Sequence, residues 1–180
     1  MSDADILELI SEQTTFEQGF RLLMTRYQER LYWHVRRLVV HHEDADDVIQ
    51  NTFIKVFKGL SGFKGNSKLY TWLYRIATNE TMSFLQKRKR HHMQSIDGEQ
   101  DLTKNLLADP FFDGDEVQAR LIQAIQQLPD KQRVVFNMRY YDEMKYAEIS
   151  EVLGTSIGGL KASYHHAAKK IELFFKEASV

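Results

Sequence analysis

The sequence has no cysteine, and only two of its 180 residues are proline. Without thiols there is neither a disulfide nor a thiolate metal site, so stability must come from packing, and the composition suits a reducing compartment. The two prolines, Pro110 and Pro129, leave long stretches free to run as unbroken helix. Also missing is any apolar run near the roughly 18 residues that a membrane span requires. The first residues, MSDADILELI, are acidic and lack the basic start and apolar centre of an export signal, so a soluble, intracellular protein with no insertion into membrane is expected. There is no glycine-rich phosphate cradle and no serine, histidine and aspartate arrangement of a hydrolase. No cofactor and no catalytic role are expected.

What is present is enough apolar mass for one domain or two small ones, at 43% hydrophobic residues. The net charge of -1 hides a partition along the chain. Residues 1–54 carry a net -5, residues 55–92 a net +8 with Glu80 as their one acid, residues 93–118 a net -6, and residues 119–180 a net +2. A cationic segment flanked by acidic ones describes partners rather than fold. It attracts phosphates, while its neighbours avoid them or meet a basic surface. A solvated basic helix face is the plain alternative.

Nearly every segment reads as helix. Thr15 and Gln18 have the spacing of a capping box, and Phe16, Phe20, Leu23, Tyr27, Leu31, Val35 and Leu38 recur every three or four positions behind them. A second helix opens after His41 and His42, with Glu43, Asp44, Asp46 and Asp47 in its first turn, where the helix dipole favours acids. Ala45, Val48, Thr52, Phe53 and Val56 form its buried stripe, which leaves Asp47, Gln50, Asn51 and Ile54 largely outside. Gly59, Gly62 and Gly65 mark a loop before a third helix beginning near Leu69.

On a helical wheel, Leu69, Leu73, Ile76, Ala77 and Phe84 share the packing face of this third helix, and Glu80 falls within it without an evident reason. Trp72, Arg75, Asn79, Gln86 and Arg90 cluster on another face. A tryptophan among cations and amides is poorly explained by burial. Aromatic rings beside cations are what a single nucleic-acid strand needs for stacking and phosphate neutralisation.

From His91 to Asp115 the periodicity is lost, the charge turns acidic, and Gly98, Pro110 and Gly114 interrupt the chain, so a linker is expected, ordered in part through Leu106 and Leu107. Val117, Leu121, Ala124, Ile125 and Leu128 then run at helical spacing to Pro129, and three shorter helices follow. Ser150, Gly154 and Leu160 have the spacing of a helix-turn-helix, in which glycine turns the corner and leucine anchors the second helix.

The stretch DADDVIQNTFIKVFKGLSGFKGNSKLYTWLYRIATNE resembles region 2 of bacterial sigma factors, and LPDKQRVVFNMRYYDEMKYAEISEVLG with the helix carrying Lys161 resembles region 4. Two such regions with no region 3 between them resemble the extracytoplasmic-function (ECF) sigma factors. The resemblance implies an all-α protein of two small helical domains: a region 2 domain over 1–91, a flexible acidic linker over 92–114, and a region 4 domain over 115–180. It implies a promoter-recognition subunit of bacterial RNA polymerase, working in the cytoplasm, with core RNA polymerase, promoter DNA and an anti-sigma factor as partners.

The resemblance also assigns residues. Asp47, Gln50, Asn51 and Ile54 match the surface that grips the clamp helices of the core enzyme. Phe63, Lys64, Gly65, Asn66 and Ser67, with Trp72, Arg75 and Asn79, match the region that captures a base flipped out of the minus-ten element. Lys161, Ala162, Ser163, His165 and His166 match the helix that reads the minus-thirty-five element, with Arg139 and Lys169 as phosphate contacts. Ala162-Ser163 stands where the family commonly shows Ser-Arg, and His166 and Ala168 replace arginines. Fewer cations weaken counterion release, so weak binding by this domain alone is expected. Gly158-Gly159 costs about 1 kcal/mol of helix stability per glycine, so this helix is expected to order at its start only on DNA.

Plainer readings cover the remaining features. The adjacent pairs His41-His42, His91-His92 and His165-His166 point about 100° apart on a helix, which disfavours joint metal binding. Asp44, Asp46 and Asp47 read as a helix start, and Tyr140, Tyr141, Phe174 and Phe175 as packing residues. Two other functions are the alternatives: a stand-alone helix-turn-helix regulator, which would not bind core polymerase, and a metal-dependent hydrolase using the paired histidines.

Overall fold

The computed structural model describes residues 2–92 and 102–177, and among them it contains helices and no strands. The chain divides into two compact units, Met1–Phe84 and Leu85–Val180.

The first unit opens with α1 (Asp3–Ser11), a helix the sequence reading did not anticipate. Ser2 and Asp5 cap it reciprocally: the Asp5 amide donates to Ser2 Oγ (3.2 Å), and the Ser2 amide donates to Asp5 Oδ2 (2.6 Å). Those bonds hold the Asp5 carboxyl below its ordinary pKa. Ile6 and Ile10, four apart, bury the inner face of α1. The helix lies close against α2 (Phe16–Val39) at Gly19, where an added Cβ would stand 2.8 Å from Ile10 Cγ1. Tyr27 on α2 donates to both carboxylate oxygens of Asp3 at 2.8 Å. Burial, then this bond, raises the phenol to about 12.

The Thr15 capping box does not form. Helix α2 begins where expected, but the Thr15 hydroxyl donates instead to the Leu9 carbonyl (2.7 Å), tying the end of α1 to the start of α2. Leu23, Leu31, Val35 and Leu38 are fully buried, as their spacing predicted. Helix α3 (His42–Gly59) buries Ala45, Val48, Thr52, Phe53 and Val56, with Ile49 joining them. A 3-10 turn (Leu60–Gly62) and a short loop lead to α4 (Leu69–His92).

The packing face of α4 differs from the wheel. Leu69, Leu73 and Ala77 are buried, but Ile76 and Phe84 are half-buried, and Tyr74, Leu85, Thr71, Thr78 and Thr81 complete the inner face. Threonines can line this face because most find partners on the spot. Thr81 Oγ1 donates to the Ala77 carbonyl (2.8 Å), and Thr78 Oγ1 lies 3.0 Å from Nε2 of fully buried His34. Glu80 is also accounted for: it pairs with Lys55 of α3, which lets a carboxylate of 15% exposure sit beside the apolar stripe.

In the second unit, α5 (Leu102–Ala108) lies within the expected linker and rests on α6 (Glu116–Gln126) through buried Leu106 and a Thr103–Gln123 hydrogen bond of 2.6 Å. Residues 93–101 of that stretch, Gly98 among them, lie outside the described residues. Asp115 caps α6 by accepting from the Gln118 amide (2.8 Å). Pro129 then starts α7 (Asp130–Tyr140), where its missing N–H costs nothing. Phe136 of α7 joins Ala124, Ile125 and Leu128 of the α6 end and Ala167 and Ile171 of the last helix in one core. Helices α8 (Tyr146–Leu153) and α9 (Ile157–Glu177) form the helix-turn-helix. Gly154 turns the corner in the left-handed region at φ +66°, where a side chain would be strained, and Leu160 is fully buried.

Gly158 and Gly159 lie in the first turn of α9, where the Ser156 hydroxyl accepts from the Gly159 amide (3.2 Å) and offsets part of the glycine cost. Tyr140 packs as expected, its ring nearly parallel to Phe136 with centroids 5.2 Å apart, while half of the residue stays exposed.

Candidate nucleic-acid and polymerase interfaces

On α3 the residues left outside the buried stripe share one exposed face. Asp47, Gln50, Asn51 and Ile54 follow the i, i+3, i+4, i+7 spacing and all four are exposed. Gln50 and Ile54 also border a groove of about 420 Å³ between α2 and α3, floored by Phe20, Met24 and Phe53. Phe57, nearly half exposed at 48%, stands at its edge and meets Phe16 and Phe20 edge-on at 5.2 and 5.0 Å. The sequence reading missed this groove and Phe57. The signal was available: apolar residues at 53, 54 and 57 cover more of the helix circumference than one packed stripe explains.

The loop and α4 form a second surface. Lys64, Gly65 and Asn66 are exposed, Phe63 and Ser67 are half-buried, and Gly65 has φ +71°, a conformation that favours glycine. The Phe63 ring leans on Trp72 with centroids 5.0 Å apart and planes inclined at 45°. Gly59 backs Trp72 closely, since a Cβ there would stand 3.1 Å from the indole Cζ2. Trp72 is thereby fixed in orientation while remaining only half-buried. One and two turns along, Arg75 and Asn79 are exposed, and Gln86 and Arg90 continue the same side of the helix. The fold thus brings together two aromatic rings, a turn with open backbone, a guanidinium and an amide. Rings can stack on unpaired bases, the cation can neutralise phosphate, and the amide can address a base edge.

The third surface is α9. Lys161, Ala162, His165, His166 and Lys169 are exposed, whereas Ser163 is half-buried, nearer the core side than the others. Lys161 Nζ and the Arg139 guanidinium lie 6.0 and 5.3 Å from the centroid of the Tyr146 ring, so two cations flank one aromatic at the start of α8. Arg139 Nη1 also donates to the Met144 carbonyl (3.3 Å), which holds the guanidinium beside the start of α8 rather than on α9. The His165 and His166 rings meet at 5.9 Å. Among the described residues, no group of three or more histidine, cysteine or carboxylate side chains is arranged to hold a metal ion. No helix of the described residues is long and apolar enough to cross a membrane.

Comparison with known proteins assigns both halves. Residues 23–91 match the family model for Sigma-70 region 2, and residues 118–171 match that for Sigma-70, region 4. The chain is 30% identical to the RNA polymerase sigma-H factor of Pseudomonas aeruginosa, over 87% of this chain and 86% of that protein. It is 30% identical to the ECF RNA polymerase sigma factor SigW of Bacillus subtilis, over 86% of this chain and 88% of that protein. Among solved structures it resembles the sigma factor RpoE in complex with the anti-sigma factor NepR from Bartonella quintana. That match has a TM-score of 0.71 and 22% identity, over 88% of this chain and 98% of that one. CnrH in complex with the cytosolic domain of CnrY matches with a TM-score of 0.69 and 19% identity, over 97% and 95% of the two chains. With both region models in order on one chain, and relatives at 30% identity matched over most of their length, the chain belongs to the sigma-70 family, among its ECF sigma factors.

Proposed function

We propose that this chain acts as a promoter-recognition subunit of bacterial RNA polymerase, carrying specificity and no catalytic activity of its own. The observation that carries the reading is the α4 surface. Phe63 and Trp72 are held ring to ring beside an open glycine turn, with exposed Arg75 and Asn79 one and two turns on, in the same chain as a helix-turn-helix. A melted strand needs such a platform, while the helix-turn-helix serves duplex DNA upstream. In this reading the region 2 domain occupies 1–91, the linker 92–114 and the region 4 domain 115–180. Asp47, Gln50, Asn51 and Ile54 meet the core enzyme, and Phe63 to Ser67 with Trp72, Arg75 and Asn79 hold the minus-ten strand. Lys161, Ala162, Ser163, His165 and His166 read the minus-thirty-five element, with Arg139 and Lys169 on phosphates.

Such a subunit works where the polymerase works, in the cytoplasm. One solved structure it resembles is of a sigma factor in complex with an anti-sigma factor, and another is of CnrH in complex with the cytosolic domain of CnrY, which supports an anti-sigma factor as a regulator of this chain too. The test is reconstitution. Purified chain and core RNA polymerase are expected to co-elute in a stable one-to-one complex that binds promoter DNA more tightly than either component. A chain that binds DNA specifically yet never associates with core enzyme would instead be a stand-alone helix-turn-helix regulator.

A further inference from the structure

Gly59 closes α3 at φ -91° and ψ -14°, a right-handed conformation open to any residue. Gly65 and Gly154, by contrast, take the positive φ that favours glycine. Glycine in a helix also costs stability relative to alanine, so the backbone gives no reason for it at position 59. The reason is space. A Cβ on Gly59 would stand 3.1 Å from Cζ2 and 3.6 Å from Cη2 of Trp72, the outer edge of the indole. Gly62, three residues on, would carry its Cβ in open space.

Two residues seat the indole. Gly59 lies against its outer edge, and Phe63 leans on the ring with centroids 5.0 Å apart. They bracket the 3-10 turn, whose buried Leu60 anchors it in the core and accepts from the Phe63 amide (3.1 Å). Asn79 follows Trp72 by seven residues, about 10 Å along the axis of α4. The end of α3 therefore helps to set the gap between the stacking ring and the amide. We infer that Gly59 is a positioning residue for the melted minus-ten strand. By carrying no side chain, it lets the Trp72 indole settle where an unpaired base can stack on it while Asn79 addresses a base edge. This rests on the reading of α4 as the minus-ten surface. A side chain at position 59 pushes the ring off its seat and weakens the hold on the strand, although position 59 itself touches no DNA.

The test uses holoenzyme and a fluorescent single strand carrying the minus-ten sequence that the holoenzyme itself selects. Trp72→Ala and Gly59→Leu should each weaken strand binding on the order of tenfold, the effect of one lost stacking contact. Gly59→Ala should weaken it less, and Gly62→Ala should bind as wild type does, with core-enzyme binding unchanged in all four. Phenylalanine lacks the outer edge that meets Gly59, so Gly59→Leu should cost no further affinity in a Trp72→Phe chain. The ring itself can be followed because the chain has only two tryptophans. In a Trp33→Phe chain, Gly59→Leu should shift the emission of Trp72 to longer wavelength, and Gly62→Ala should leave it in place.

Gly59→Ala, the milder change, keeps the test open should leucine unfold the chain. Strand binding that survives both Gly59 variants but falls in Trp72→Ala overturns the role of Gly59 alone. So does a loss in Gly59→Leu that is as large with phenylalanine at position 72, since it then does not pass through the indole. Variants at position 59 that lose core binding in step with strand binding also overturn it, because the glycine then serves the fold or the protein contact. Trp72→Ala that binds the strand as wild type does overturns the inference together with the reading on which it rests.

Discussion

Replacing Gln50 and Asn51 together by alanine separates binding from folding at the proposed polymerase face. Both side chains are exposed in the middle of α3, and neither makes a side-chain hydrogen bond or ion pair within the described structure. Nothing buried is lost when they are shortened. Alanine also has the higher helix propensity, by a few tenths of a kcal/mol at each position, so stability should rise by at most about 1 kcal/mol. For a domain this small that amounts to a melting temperature unchanged or raised by at most about 6 °C. Binding should move the other way. If both sit near the centre of the core-polymerase contact, each truncation costs about 1 to 2 kcal/mol, and the pair weakens the complex by roughly 30-fold to 1000-fold. Thermal melting by circular dichroism and titration of labelled core enzyme, done on the same preparations, read the two quantities. A fall in melting temperature that parallels the loss of binding would show the pair to be structural. Unchanged binding would remove this face of α3 from the interface.

Other expectations follow from single contacts. Asn79→Ala should slow promoter opening and relax base preference at one position of the minus-ten element, at a cost of about 1 to 3 kcal/mol of discrimination. Transcription from templates carrying all four bases there measures it, and unaltered preference refutes it. Lys55→Ala leaves the Glu80 carboxylate, 15% exposed, without its cation, and should cost about 1 kcal/mol. Adding Glu80→Leu should recover that loss, and a double variant no more stable than Lys55→Ala would refute the pairing. Tyr27, raised from 10.0 to about 12, favours the protonated phenol in the folded state. Its contribution is therefore complete below pH 10 and lost as pH rises towards about 12, a slope that Tyr27→Phe should remove from the stability profile. His166→Arg, on the exposed side of α9, should tighten binding to the minus-thirty-five duplex and steepen its salt dependence by about 0.9, and an unchanged slope would place that side chain away from phosphate.

Helical periodicity made the two-domain, all-helical architecture legible, because residues such as Leu23, Leu31 and Val48 have no other way to leave water together. The polar faces of α3 and α4 could be read for the complementary reason: Asn51 or Arg75 is hard to place anywhere but outside. What escaped the reading depended on neighbours distant in sequence. Glu80 made sense only once Lys55 was placed across from it, and the inner threonines of α4 only once His34 supplied a partner for one of them. Thr15 had the spacing of a cap, but its hydroxyl donates to the Leu9 carbonyl, a partner that α1 supplies. Helix α1 itself carried a legible signal in Ser2, Asp5, Ile6 and Ile10 that was passed over as an acidic start. The α2–α3 groove emerges from two helices at once, which a wheel for either one cannot show.

A promoter-recognition subunit confers specificity on a polymerase that lacks it. Run-off transcription on a library of genomic DNA fragments, with purified core RNA polymerase in the presence and absence of the chain, tests this directly. The expected result is a set of discrete transcripts that appear only when the chain is added. Their upstream sequences should share two elements at fixed spacing, and the output should fall when Asn79 is replaced by alanine. Transcripts that are the same with and without the chain, or specific DNA binding that never yields a transcript, would contradict the account.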